Sequence, residues 1–463
     1  DRLDVYEDFR KPIDARVNDL LKRMTLEEKA GCMFITMTGM ESDGDLLEYP
    51  KLNHLLTFLM EWNTEMVADK KLNHFNIAQS YPPEVMARWN NNIQKLAERT
   101  RLGIPVTIAT DPRHSGKKNF TVNVFTKYFS TWPSFLGMAA TRDTSLVKEF
   151  GRIVRKEYRA VGITQALHPM ADVATEPRWG RIGGTFGSDA HLTARMVKAY
   201  IEGMQGDSLN ETSVACMTKH FPGGGPQRDG DDPHFPYGKD QIYPGNNFDY
   251  HLIPFEKGAF PANTGQIMPY YAIPEGTKYE DVAFAFNKKI ITGLLREKYD
   301  FKGVVCTDWG IITDRKFRKA RAWGVENLSE IERMEKVLDA GCDMIGGESY
   351  PEMIVELVRS GKISEGRINE SIRRILRDKF RLGLFDDPYV DPEKAEKLVR
   401  NEKFVSKGKK AQRKSMVLLK NKNDILPLEE GSEIYIDGID EKVAEQYADV
   451  VSDRGKADFV ILK

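Results

Sequence analysis

The stretch "GVVCTDWG" (303–310) is almost wholly apolar from Gly303 to Cys306 and then delivers Thr307, Asp308 and Trp309. A carboxylate at the end of such a run serves either as a helix N-cap or as a group perturbed for chemistry, and the stretch alone leaves both open. Other segments repeat the pattern. "KHFPGGG" (219–225) puts a fixed cation, Lys219, beside a titratable imidazole, His220, ahead of glycines that let a backbone approach a ligand. A Lys next to a His is hard to bury without a partner, which favours a functional role over a plain turn. "IATDPRHSG" (108–116) leaves an apolar run through Asp111, with Arg113 and His114 close behind, and "QIMPYY" (266–271) ends in Tyr270 and Tyr271. Within "EPRWGRIGGTFGSD" (176–189), Arg181 is a candidate fork for a ligand, while Arg178 beside Trp179 suits structural stacking.

Carboxylates, Lys, His, Arg, Tyr and Trp around one mouth suit a neutral polyhydroxylated ligand. Charged hydrogen bonds hold hydroxyls, and an aromatic ring stacks on the apolar face of a sugar. Breaking a glycosidic bond takes two carboxyl-type groups, one to attack or stabilise the anomeric carbon and one to protonate the leaving oxygen. Asp308 is the candidate for the first. Other chemistries lack their signatures: no strand directly precedes a GxGxxG, and the chain holds no GxxxxGK[ST], HExxH or GxSxG. A metal-dependent hydrolase using His168, His220 and Asp308 is a rival reading, although no HxH pair ends a strand. A sugar-binding protein without catalysis is a second rival.

These residues need elements to carry them. Apolar runs recur at 32–37, 106–110, 162–169, 214–220, 266–271, 303–310 and 342–347, and their near-continuous apolarity predicts parallel strands buried on both faces. Between them lie helical signals. Thr25 with Glu28 forms a capping box, Ile331, Met334, Val337 and Leu338 make a stripe ending at Gly341, and Ile368, Ile372, Ile375 and Leu376 repeat it. Alternation of this kind predicts an α/β architecture. The seven runs are one short of an eight-stranded barrel. Nearly every run ends in a polar or aromatic group at its C-terminal side, the side on which parallel barrels build their active sites.

The chain of 463 residues is long enough for a barrel with an appendage, and 68 Lys plus Arg against 69 Asp plus Glu give no global field for nucleic acid or an anionic membrane. No apolar run approaches the roughly 18 residues of a membrane helix. Cys32, Cys216, Cys306 and Cys342 lie far apart in apolar runs and read as reduced core residues. "DRLDVYEDFR" is not a signal peptide, but a mature chain freed of its leader looks the same, so the compartment stays open with the periplasm or secretion favoured. Pro388 and Pro392 with acidic neighbours predict a boundary near 390, a basic helical stretch follows, and "SEIYIDGI" and "ADFVILK" read as strands of a second α/β domain.

Taken together, these segments resemble glycoside hydrolase family 3, the β-glucosidases and related exo-acting enzymes. "MTLEEKAGCMF", "TDPRH", "EPRWGRIGGTFG", "KHFPGGG", "IMPYYAIP", "GVVCTDWG" and "SIRRILRDKFRLGLFD" fall in the family's order. The resemblance implies a (β/α)8 TIM-type barrel over 1–390. It further implies a linker and the N-terminal part of an α/β sandwich domain over 391–463. It implies a retaining exo-acting β-glycosidase, β-glucosidase above β-xylosidase or β-N-acetylglucosaminidase. Asp308 is similar to the family's nucleophile and Trp309 to the ring that walls the sugar subsite. Asp111, Arg181, Lys219, His220 and Tyr271 are similar to the residues that bind the terminal sugar's hydroxyls. No cofactor and no metal are implied. The expected partners are a small oligosaccharide or glucoside and a second copy of the chain in a homodimer, with no nucleic acid and no membrane. Two positions depart from the family: Gly184 stands where a Glu usually orients the Arg, and Ala272 stands where an Asn often follows the Tyr. The general acid/base is expected in a sandwich-domain Glu lying beyond Lys463, with Asp232 and His234 of the loop "DGDDPHFPYG" as the in-chain alternative.

Overall fold

The computed structural model describes residues 3–48, 61–115, 124, 126–315 and 319–463. The chain divides into two compact units, Asp1–Ser415 and Met416–Lys463. The first is built on eight parallel strands: β1 Phe34–Thr38, β2 His74–Ile77, β3 Thr107–Thr110, β4 Ile163–Ala166, β5 Ala215–Phe221, β6 Gln266–Pro269, β7 Val304–Val305 and β8 Ile345–Gly346. They pair in the order β8-β1-β2-β3-β4-β5-β6-β7, every pair parallel. The two outer members meet as well. A parallel bridge joins Cys306 to Met344, and the Thr307 N–H donates to the Met344 carbonyl at 2.9 Å, so the sheet curls back toward its own edge.

Each of the seven apolar runs overlaps one of these strands, and the eighth is "HFNI" at 74–77. That strand escaped the apolar pattern because His74 and Asn76 alternate with Phe75 and Ile77, and all four are buried. Asn76 Nδ2 lies 3.4 Å from Asp111 Oδ2, so a strand that curls inward can bury a polar side chain against the next strand's carboxylate.

Helices cover the outside, and their ends follow the sequence signals. The capping box of Thr25 and Glu28 opens Leu26–Cys32, and Glu330–Ala340 stops at Gly341, whose φ of 112° is the left-handed conformation that suits glycine. Helix Glu365–Arg381 turns Ile368, Ile372, Ile375 and Leu376 inward. It also anchors the strand that carries Asp308. Asp343, fully buried, accepts from Val305 N at 2.9 Å, Arg296 Nη2 at 2.5 Å, Ser371 Oγ at 2.8 Å and Arg374 Nη1 at 2.7 Å. A buried carboxylate with this many donors pins β7 to β8 and to the helix behind them. All four cysteines are buried and free.

The first unit runs past the boundary expected near 390, up to Ser415. Asn91 Nδ2 donates to the Val390 carbonyl at 2.8 Å, and Arg400 N donates to Glu157 Oε1 at 2.6 Å. A side chain at Gly408 would collide with the Thr131 carbonyl, 2.2 Å from an ideal Cβ, so the helix Glu402–Lys414 lies directly on the backbone of the first unit. The second unit holds a three-stranded parallel sheet in the order β10-β9-β11, with β9 Glu433–Asp437, β10 Asp449–Val450 and β11 Phe459–Leu462. Among the described residues, no helix is long and apolar enough to cross a membrane.

Candidate active site

The C-terminal ends of the strands meet around Asp308, just past β7. No helix starts there. Oδ1 accepts from the Trp309 N–H at 2.8 Å, while Oδ2 is buried without a hydrogen-bond partner. Burial pushes the Asp308 carboxyl up, but His220, His234, Lys219 and the Tyr271 hydroxyl outweigh it and hold the pKa below the usual carboxylate range. The result is a charged, buried oxygen without a hydrogen-bond partner, in a gap beside His220.

β5 contributes two side chains to that gap. Lys219 Nζ reaches past β4 to pair with Asp111 Oδ1, at the end of β3, at 3.0 Å. His220 points Nε2 toward Asp308 Oδ2 at 3.8 Å and sets Nδ1 against Asp172 Oδ2 at 2.7 Å. Arg181 comes from the segment between β4 and β5. Its Nη1 donates to the Tyr270 hydroxyl at 3.0 Å, and its guanidinium lies 5.5 Å from the Tyr270 ring centre and 5.9 Å from that of Trp179. Burial opposes the Arg181 charge, but Tyr270, Asp232 and Asp308 hold its pKa above the ordinary value. Tyr270 therefore orients Arg181 where Gly184 leaves no carboxylate to do so.

Tyr271 follows β6, and its hydroxyl accepts from Trp309 N at 2.9 Å and Arg321 Nη1 at 3.3 Å. Two donors on one phenol oxygen leave its own proton for the Trp309 carbonyl, at 3.0 Å, or for Asp308. With Ala272 buried and apolar, Arg321 supplies the polar contact to Tyr271. The Trp309 ring packs on glycine backbone: an ideal Cβ at Gly347 would lie 2.5 Å from Trp309 Cδ1, and one at Gly346 2.9 Å from Cε3.

Asp232 and His234 join this cluster. His234 Nδ1 and Asp232 Oδ1 are 2.5 Å apart, Trp179 Nε1 donates to Asp232 Oδ2 at 2.9 Å, and the His234 ring lies 4.8 Å from that of Tyr271. Burial opposes the Asp232 charge, but the bond to His234 and the nearby Arg181 keep its pKa far below the ordinary value. Arg321 Nε donates to the His234 carbonyl at 3.1 Å and Trp323 Nε1 to the Pro233 carbonyl at 2.8 Å, fixing the loop from outside.

Asp111, Arg181, Lys219, His220, Tyr271, Asp308 and Trp309 thus lie close together at the C-terminal ends of the strands, and other residues do not join them. Arg113 ties strand ends together through Thr110 Oγ1, the Gln79 carbonyl and the Ile77 carbonyl. His114 pairs with Glu157 at 2.7 Å, and His168 is held by the Tyr200 hydroxyl at 2.9 Å and lies 3.4 Å from that of Tyr158. Among the described residues, no group of three or more His, Cys, Asp or Glu side chains is arranged for a metal ion. Arg178 binds Glu176 at 2.9 Å, so the guanidinium near Trp179 is that of Arg181. The glycines of "KHFPGGG" approach the protein itself: a Cβ at Gly224 would meet Asp172 Oδ1 at 2.8 Å and one at Gly225 the Val173 carbonyl at 1.7 Å. Sequence reading passed over Asp172, Arg321 and Trp323. Asp172 carried a usable signal, since "HPMAD" leaves an apolar run through a carboxylate as "IATD" does.

The model of the glycosyl hydrolase family 3 N terminal domain matches residues 51–377. A probable beta-glucosidase C from Aspergillus flavus is 48% identical over 472 residues, covering 100% of this chain and 73% of its own. A periplasmic beta-glucosidase/beta-xylosidase from Dickeya chrysanthemi is 42% identical over 473 residues, covering 97% of this chain and 71% of its own. The structure of a β-glucosidase from Erythrobacter marinus superposes with a TM-score of 0.76 at 24% identity. It covers 94% of this chain, which in turn spans about half, 54%, of that protein. With 327 consecutive residues inside the family model and relatives this similar along the whole chain, the protein belongs to glycosyl hydrolase family 3.

Proposed function

We propose that this glycoside hydrolase is a retaining, exo-acting β-glucosidase that removes terminal non-reducing β-D-glucose from oligosaccharides or glucosides. One observation carries the reading. Asp308 Oδ2 is buried, unpartnered and held anionic by the cationic and hydroxyl groups around it, which suits a nucleophile. Asp308 attacks the anomeric carbon, the bond to the leaving oxygen breaks, and an acid supplies that oxygen's proton. The same group, now a base, takes a proton from the water that hydrolyses the glycosyl ester and releases glucose. Asp111, Arg181, Lys219, His220 and Tyr271 hold the sugar's hydroxyls and Trp309 walls the ring. The names of the Aspergillus and Dickeya relatives support glucose as the sugar removed, and the Dickeya name keeps xylose as the alternative.

We read the curled sheet as a (β/α)8 TIM-type barrel and Met416–Lys463 as the start of an α/β sandwich. A second reading concerns the acid/base. His234, backed by Asp232 at 2.5 Å and lying within the electrostatic reach of Asp308, suits that role within this chain.

A 2-fluoro glucoside should trap an ester on Asp308 and on no other residue. Asp308→Asn should lower turnover of an aryl β-glucoside by several orders of magnitude, and turnover within about tenfold of wild type sinks the assignment.

A further inference from the structure

We propose that Asp172 is the positioning residue of the site: its carboxylate keeps the proton of His220 on Nδ1, so that Nε2 faces the ligand as a hydrogen-bond acceptor beside Asp308. The inference rests on the reading of His220 as a sugar-binding residue and adds the group that sets its tautomer.

Asp172 is fully buried in the segment after β4. That segment is locked to β5, since Met170 bridges Lys219 and Ala171 N donates to the Lys219 carbonyl at 2.5 Å. Oδ1 accepts two backbone N–H groups, from His220 at 3.2 Å and Gly224 at 2.5 Å. A Cβ at residue 224 would lie 2.8 Å from Oδ1, so glycine is what lets that N–H come so close. Oδ2 is left for His220 Nδ1, at 2.7 Å. An ionised carboxylate only accepts, so the nitrogen against it must carry the proton, and a neutral imidazole then presents a lone pair at its other nitrogen.

That other nitrogen is 3.8 Å from Asp308 Oδ2, which has no hydrogen-bond partner. Two acceptors therefore face one gap, an arrangement that welcomes the O–H groups of a sugar. The opposite tautomer would aim an N–H at Asp308 and draw negative charge from the attacking oxygen. The positioning is thus electrostatic as well as geometric.

Arg181, Lys219, His251 and Tyr270 also face Asp172. Burial raises the Asp172 pKa to about 6 against the Gly224 N–H and Arg181, which lower it. Burial also drives His220 well below the ordinary histidine value. His251 is lowered to about 4 by burial, Arg181 stays charged and Tyr270 stays neutral, so none of these three titrates near pH 6. Above about pH 6 the carboxylate accepts from His220. As pH falls through that value Asp172 gains a proton, can donate to Nδ1, and sends the imidazole proton to Nε2. Activity should therefore fall on the acid side with Asp172, ahead of protonation of Asp308.

The test uses the full chain labelled with 15N-histidine, the His220 signal assigned by its loss in His220→Gln. Near neutral pH the wild type should show a protonated Nδ1, and the proton should move to Nε2 as pH falls through about 6. In Asp172→Asn the amide oxygen keeps the backbone donors and the NH2 faces Nδ1, so His220 should carry its proton on Nε2. This variant should lose about 10- to 100-fold in kcat/KM for an aryl β-glucoside, together with the acid limb near pH 6. A wild type protonated at Nε2, or a swapped tautomer with kcat/KM within about threefold, overturns the proposal. If Asp172→Asn does not fold, the wild-type tautomer and its pH shift decide alone. A wild type that cleaves no β-glucoside defeats the functional reading but leaves the tautomer measurement to decide the Asp172 assignment.

Discussion

Asp308 is a carboxylate kept charged against its own burial, and the groups that do this come from the ends of β5 and β6 and the loop between them. The same balance separates it from a neighbour: burial wins at Asp172, which is raised to about 6, while Asp308 is lowered. Environment, not residue type, thus distinguishes the two acids. The Asp232–His234 pair is the third titratable element, and its reading as acid/base predicts a dependence on the leaving group. An activated aryloxide departs without a proton, whereas an alkoxide needs one. His234→Ala should therefore cut kcat/KM for an alkyl β-glucoside by about 100-fold or more and for a dinitrophenyl β-glucoside by less than about tenfold. Equal losses on the two substrates would remove His234 from that role. Asp308, Lys219, His220 and Tyr271 were legible because each ends an apolar run. Arg321 was not, since its segment "RKARAWGV" has no strand in front of it, and only its hydrogen bonds to Tyr271 and His234 reveal it.

At the scale of elements, short strands deliver the chemistry and loops hold it in shape. β7 is only two residues long, yet Asp308 is fixed because Asp343 ties the strand to the helix Glu365–Arg381 and Trp309 is packed on Gly346 and Gly347. Gly347 has a φ of 69° and leaves no space for a Cβ. Gly347→Ala should displace Trp309, shift the tryptophan fluorescence and lower kcat/KM by at least about tenfold. Gly183→Ala, with nothing within 4 Å of its added carbon, should change stability by less than about 0.5 kcal/mol. Normal kinetics and an unchanged spectrum in the Gly347 variant would show that the glycine does not support the ring. Helix ends were readable because caps are local, as the box at Thr25 and the stop at Gly341 show. β2 was not, because its polar residues are buried by the strands on either side.

At the scale of the molecule, the base of the first unit holds a buried cation. Lys379 Nζ donates to the Asn73 and Pro105 carbonyls at 2.9 Å and to Thr107 Oγ1 at 2.8 Å, none of them a carboxylate. Burial lowers its pKa to about 7. Between about pH 7 and the ordinary lysine range the unfolded chain binds a proton that the folded chain has shed, so stability should rise with pH across that window. Below it both states are charged and the contribution is constant. Urea unfolding at a series of pH values should show the rise in the wild type and a flatter curve in Lys379→Met. A variant with the full slope would acquit Lys379 of the effect.

The sequence alone determined the α/β class, seven of the eight strands, the helix caps and the residues at strand ends. Each of these is written in apolar period, turn chemistry and spacing over a few neighbouring positions. Tertiary structure decided the rest. His220 and Asp172 are 48 positions apart, Arg181 and Tyr270 are 89 apart, and Arg321 and His234 are 87 apart. It also carried the first unit past 390 to Ser415, where the helix Glu402–Lys414 found the backbone at Thr131 to pack on. A local pattern says that a side chain is available at a strand end. Which buried partner satisfies it depends on how the curled sheet brings distant strand ends together, because a polar group removed from water must be paired with whatever the fold sets beside it.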